Sequence, residues 1–227
     1  MTYVFGHSTT ETDRLLRQAR IFGPSTRRLF EDAGIAPGMS VIDVGSGAGD
    51  VSLILADLVG PEGKVLGIDV NAQLLETARA RAGALGLENV TFTPGDATTI
   101  DLENNFDAAV GRCVRFFIKG RVTLLRRLAS HVRPGGVVAF QEPGNATLQP
   151  SSLPPSQLLD QIWTWITALY AQTDRDLYAG LRLFTLFKDA GLGGLVKLAW
   201  LGHRRGACAH VHRLRVRSRV SQRPQRH

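Results

Sequence analysis

Short apolar runs closed by glycine or proline alternate along this chain with longer stretches whose apolar residues recur every three or four positions. The first pattern reads as buried strand and the second as amphipathic helix. Apolar runs predict strands over 39–44, 65–70, 90–93, 108–110 and 137–141, with a sixth over Leu195 to Leu201. Helical spacing predicts helices over 8–22, 25–34, 50–59, 71–85, 120–132, 157–171 and 176–189. Gly34, Ala36-Pro37-Gly38, Pro61-Glu62-Gly63 and Arg133-Pro134-Gly135-Gly136 mark the turns. Strands that are apolar almost throughout, alternating with helices of this length, specify a parallel sheet covered on both faces. The fold class read from the pattern is α/β: a doubly wound, mostly parallel sheet with N-terminal helices and an inserted helical cap. The expected division is an N-terminal helical cap over 1–34, a main domain over 35–201 with the cap insertion at 143–175, and an atypical basic tail over 202–227.

Composition narrows the class. Hydrophobic residues make up 44% and charged residues 21% of the 227 residues, as in a soluble globular protein. No apolar run approaches the roughly 18–20 residues that span a bilayer. The start, Met1-Thr2-Tyr3-Val4-Phe5-Gly6-His7, has neither a basic nor an apolar leader region, so the expected location is cytoplasmic. Cys113 and Cys208, the two cysteines, cannot build a zinc cluster, and no metal is expected.

Charge changes the picture only once it is partitioned. The whole chain carries 27 Lys and Arg against 20 Asp and Glu. Eight of those arginines, and no acid, fall between Gly202 and His227, so the 27 bases less eight leave 19 against 20 acids in the first 201 residues. The body is nearly neutral and the excess belongs to the tail. A nucleic-acid-binding body carries its basic residues over one face, so nucleic acid is not the expected partner here.

The chemistry concentrates at three strand ends. Val41-Ile42-Asp43-Val44-Gly45-Ser46-Gly47-Ala48-Gly49-Asp50 is a strand, a glycine-rich turn and a helix start. Glycines let the backbone turn tightly against a ligand, and a helix N-terminus offers free N–H groups. The spacing Gly-x-Gly-x-Gly is not the Gly-x-Gly-x-x-Gly of dinucleotide binders. Asp43 ahead of it disfavours a pyrophosphate and suits a ligand bearing an ammonium group. Asp69 ends the next strand, followed by Val70, and a carboxylate there accepts hydrogen bonds from both ribose hydroxyls. Gly95-Asp96-Ala97 follows the third strand, where Asp96 is placed to accept from an adenine amino group.

With Phe106-Asp107-Ala108 and Arg133-Pro134-Gly135-Gly136, these motifs resemble, in order over about 35–142, the class I S-adenosylmethionine-dependent methyltransferases. The resemblance implies their Rossmann-like fold, S-adenosylmethionine as cofactor and methyl transfer to a small-molecule acceptor. By resemblance, the loop of Gly45, Ser46, Gly47 and Gly49 contacts the amino-acid part of the cofactor. Asp69 would hold the ribose and Asp96 the adenine, Val70 and Ala97 beside them count among the cofactor-binding residues, and Arg112 would lie near the methionine end. No general base stands out; His7 and Glu142 are candidates by position alone. Gly111-Arg112-Cys113-Val114 stands where many nucleobase and amide methyltransferases carry Asn/Asp-Pro-Pro-Tyr, which counts against those acceptors. The alternatives carried forward are a nicotinamide-dependent oxidoreductase and an RNA methyltransferase that uses the basic tail.

Trp163 and Tyr170 fall on the apolar stripe of 157–171 and are expected in the core, whereas Trp165 lies off it and suits a contact surface. The tail has three readings: an edge strand in which Leu214, Val216 and Val220 alternate with arginines, a basic arm for nucleic acid or anionic lipid, or a segment foreign to the family, such as a frameshifted reading frame.

Overall fold

A computed structural model describes residues 9–102, 105–114, 120–143, 152–172, 179–192 and 209–215. The elements run α1 (Thr9–Ala33), β1 (Ser40–Val44), α2 (Asp50–Val59), β2 (Lys64–Asp69), α3 (Ala72–Ala84), β3 (Val90–Pro94), β4 (Phe106–Arg112), α4 (Arg121–His131), β5 (Val132–Pro143), α5 (Gln157–Ala171), α6 (Ala179–Asp189) and β6 (Ala209–Arg215). The sheet order is β3-β2-β1-β4-β5-β6, with the first five strands parallel and β6 antiparallel to β5. The chain winds outward from β1 to β3, then returns to β4 on the other side of β1. That reversal opens a crevice at the carboxyl ends of β1 and β4, where open α/β sheets bind ligands.

Two apolar layers sandwich the sheet. Alternate residues of one strand face opposite layers, and the neighbours Val41 and Ile42, Ala108 and Ala109, and Val137 and Val138 divide accordingly. On one side Leu29 and Phe30 of α1, Val51 and Leu55 of α2 and Leu75 and Ala78 of α3 are buried. On the other, Leu124, Leu125 and Leu128 of α4 pack with Leu183 and Phe187 of α6. Phe140 and Phe187 meet edge to face, ring centroids 6.4 Å apart.

The two N-terminal helices expected over 8–22 and 25–34 are one helix with Pro24 inside it. Proline withdraws a single backbone donor, and the buried face formed by Thr26, Leu29, Phe30 and Ala33 continues the helix beyond it. β5 begins before the expected 137, because the Arg133–Gly136 turn is absorbed as an irregularity. Phe106 pairs with Val132 and Ala108 already pairs with Val137, so the β5 segment bulges between the two pairs.

α5 keeps its expected bounds but not its expected burial. Ile162 is 39% and Leu169 43% exposed, and Trp163 is half-buried, so the expected core placement of Trp163 does not hold. Trp165 is 59% exposed, as a surface position should be. The side chain of Tyr170, the strand expected at Leu195 to Leu201 and most of the tail lie outside the described residues. Within the tail, the backbone of Ala209–Arg215 pairs along β5 from Pro143 to Val137. No helix among the described residues is long and apolar enough to cross a membrane.

Candidate functional site

The loop after β1 turns through three left-handed glycines, Gly45 (φ 68°), Gly47 (φ 52°) and Gly49 (φ 86°). At Gly45 the requirement is double. The backbone is in the region that glycine favours, and a Cβ there would stand 2.7 Å from Val114 Cγ2. The loop is pinned to the next strand, because the N–H groups of Gly45 and Ser46 both donate to Ile68 O, at 2.7 and 3.0 Å. At Gly47 a Cβ would meet none of the described residues within 4 Å. Gly49 then caps α2, whose first-turn N–H groups lack helical partners.

Asp69 closes the loop from β2. Its Oδ2 accepts from Gly47 N at 2.9 Å and its Oδ1 from Asn71 N at 2.8 Å. Val70, next along, is 67% exposed and leaves an apolar side chain at the end of β2. Asp96 lies beyond β3 and is exposed; its Oδ1 accepts from the N–H and hydroxyl of Thr98 at 2.8 and 2.6 Å. Those two bonds hold its carboxyl below the usual range, the Thr98 hydroxyl contributing most. Ala97 beside it is buried.

Asp43 behaves differently from a surface acid. It is 1% exposed, and Oδ2 accepts from the Ser52 hydroxyl of α2 at 2.5 Å. Burial raises its pKa from the ordinary 3.8 to about 7, against the lowering effects of Ser52 and Arg112. The carboxylate therefore points at α2, and its buried Oδ1 has no hydrogen-bond partner among the described residues. The buried Ser46 hydroxyl likewise finds no hydrogen-bond partner among the described residues.

Arg112, at the end of β4, is drawn toward two helices. Nη2 stands 3.7 Å from Asp50 Oδ2 at the start of α2, and Nη1 donates to Thr26 Oγ1 of α1 at 3.3 Å. Arg81 of α3 also reaches Asp50, at 2.6 Å. Thr26, wholly buried, donates in turn to Gln141 Oε1 of β5 at 2.7 Å. Thr26, Asp50 and Gln141 were not singled out by sequence; for Thr26 the available signal is its place on the helical stripe with Leu29, Phe30 and Ala33. Glu142 is wholly buried and its Oε1 accepts from Val114 N at 3.0 Å, so it braces the backbone beyond β4. His7 lies outside the described residues.

The structure thus brings together the Gly45–Gly49 loop, Asp69, Asp43 and Arg112, with Asp96 one strand further out. Compared with known proteins, residues 35–178 match a family described as methyltransferase domain. The chain belongs to this methyltransferase family. The family's cofactor is S-adenosylmethionine, and the nicotinamide alternative falls away.

Aklanonic acid methyltransferase DauC of Streptomyces sp. (strain C5) is 33% identical over 144 residues, 63% of this chain and 64% of that protein. Demethylmenaquinone methyltransferase of Staphylococcus aureus (strain JH9) is 32% identical over 124 residues, 54% of this chain and 50% of its own length. The chain thus spans half to just under two thirds of these relatives. Among solved structures, a SAM-dependent methyltransferase from Aquifex aeolicus shares the fold with a TM-score of 0.65 at 21% identity, covering 84% of this chain and 89% of that one.

Proposed function

We propose that the chain binds S-adenosylmethionine at the Gly45–Gly49 loop and Asp69 and transfers its methyl group to a small molecule. The observation that carries this is the Asp69–Gly47 closure. It sets a carboxylate beside a left-handed glycine turn at which a Cβ would meet none of the described residues. The chemistry of the donor set fits the cofactor. In the proposed pose, the glycine turn and the Ser46 hydroxyl, which has no partner among the described residues, meet the amino-acid end, Asp69 the ribose hydroxyls, Val70 the flat face of the adenine and Asp96 its amino group. When the cofactor is bound, its sulfonium supplies an activated methyl group. The remaining task of the protein is to hold the acceptor in line and keep water out, which accounts for several kcal/mol of barrier lowering.

The relatives support a small-molecule acceptor, since their names give aklanonic acid and demethylmenaquinone, both small organic molecules. A cytoplasmic site of action belongs to the same reading. Calorimetric titration with S-adenosylhomocysteine, with NADH in parallel, tests it. Micromolar binding of the former alone supports the reading, and binding of NADH alone overturns it.

A further inference from the structure

Arg112, Thr26 and Gln141 form a hydrogen-bond chain that runs from the guanidinium through the hydroxyl to the amide oxygen. A guanidinium only donates, so Thr26 Oγ1 accepts from Arg112 and its single proton goes on to Gln141. Gln141 presents Oε1 to Thr26, which turns its amide nitrogen the other way. That nitrogen is buried with no hydrogen-bond partner among the described residues, in a side chain 2% exposed. A buried amide donor left unpaired is costly, yet an apolar residue of the same shape would fill this place without that cost. Arg112 and Gln141 are register partners on β4 and β5, so the chain runs straight across the carboxyl ends of these strands to α1.

The position of this donor says what it serves. The glycine loop leaves β1 and Asp69 ends β2, so the proposed cofactor pose covers the β1–β2 side of the crevice. Gln141 is two strands from β1, roughly 10 Å at the usual strand spacing, and on the opposite side from Asp69. Resting on the methyltransferase reading, we propose that Gln141 is the specificity residue for the methyl acceptor. Its Nε2 donates to a carbonyl or phenol oxygen of that molecule, and Thr26 with Arg112 holds it in the donating orientation. Because Thr26 belongs to α1, such an acceptor comes in between α1 and the end of β5. The substrate class is then an oxygen-bearing ring or acyl compound rather than a plain amine or hydrocarbon.

A matched pair of probes tests this on the S-adenosylhomocysteine-loaded chain: 1-naphthol and its near-isostere 1-methylnaphthalene. The expected result is that 1-naphthol binds about five- to tenfold more tightly, the discrimination one hydrogen bond gives. Gln141→Leu should abolish the preference while leaving S-adenosylhomocysteine affinity unchanged. Thr26→Val should reduce it and Thr26→Ser should restore it, a contrast that a purely structural threonine would not produce. Equal binding of the two probes, or binding of neither, overturns the proposal, as does a loss of S-adenosylhomocysteine affinity in Gln141→Leu, which would make Gln141 a cofactor ligand. A wild-type chain that does not bind S-adenosylhomocysteine fails the methyltransferase reading itself.

Discussion

Asp69 Oδ2 accepts the backbone N–H of Gly47 at 2.9 Å, tying the end of β2 to a turn that lies 22 positions earlier in the chain. One carboxylate thereby sets the loop, and in the proposed pose the same group takes the ribose. Asp69→Ala should weaken S-adenosylhomocysteine binding by about 1–3 kcal/mol, the cost of losing charge-assisted hydrogen bonds. Calorimetric titration measures it, and an unchanged affinity removes Asp69 from the site.

Gly45 makes a sharper stability test. A side chain there meets both a left-handed backbone (φ 68°) and Val114 Cγ2 at 2.7 Å. Gly45→Ala should lower stability by at least about 1–2 kcal/mol from the backbone alone, read from urea denaturation. Val114→Ala in the same chain should recover part of the loss, because it removes the steric component.

Asp43 gives the protein a pH dependence of definite sign. Its folded pKa, about 7, lies above the ordinary 3.8, so between these values the folded state holds a proton that the unfolded state has lost. The resulting stability is fully present below pH 4 and is lost as pH rises toward 7, with a slope of at most about 1.4 kcal/mol per pH unit. Asp43→Asn cannot ionise, so its melting temperature relative to wild type should climb from pH 5 to pH 8. Parallel melting curves across that range would show that Asp43 stays ionised when folded.

The tail strand is testable by removal. Without Ala209–Arg215, β5 becomes a bare edge along Val137 to Pro143. A chain ending at Gly202 should melt several degrees lower and aggregate more readily, as unpaired edges do. Identical melting would mean that β6 adds nothing to the fold. Steeply salt-dependent RNA binding that vanishes with the same deletion would instead support the basic-arm reading.

Much of this architecture was legible in the residues. Strands β1 to β4 are short apolar runs, and the Gly-x-Gly-x-Gly turn stands out with Asp69 because the two occur together, at successive strand ends and in the order of a known family. What escaped was tertiary. Pro24 reads as a helix break until the buried face of Thr26, Leu29 and Phe30 is seen to carry α1 past it. The burial of Asp43 against Ser52 of α2 likewise depends on how the helix packs on the sheet. The Arg112–Thr26–Gln141 chain joins residues 86 and 115 positions apart, which no local pattern can show.

The antiparallel β5–β6 pair also sets a timetable. Val137 waits for Arg215 and Pro143 for Ala209, so each β5 residue is translated 66 to 78 positions before its partner. At ribosomal speeds of about 5–20 residues per second, that flank of the nascent sheet stays unzipped for roughly 3–16 s. During synthesis, this flank is where a chaperone would find the emerging chain.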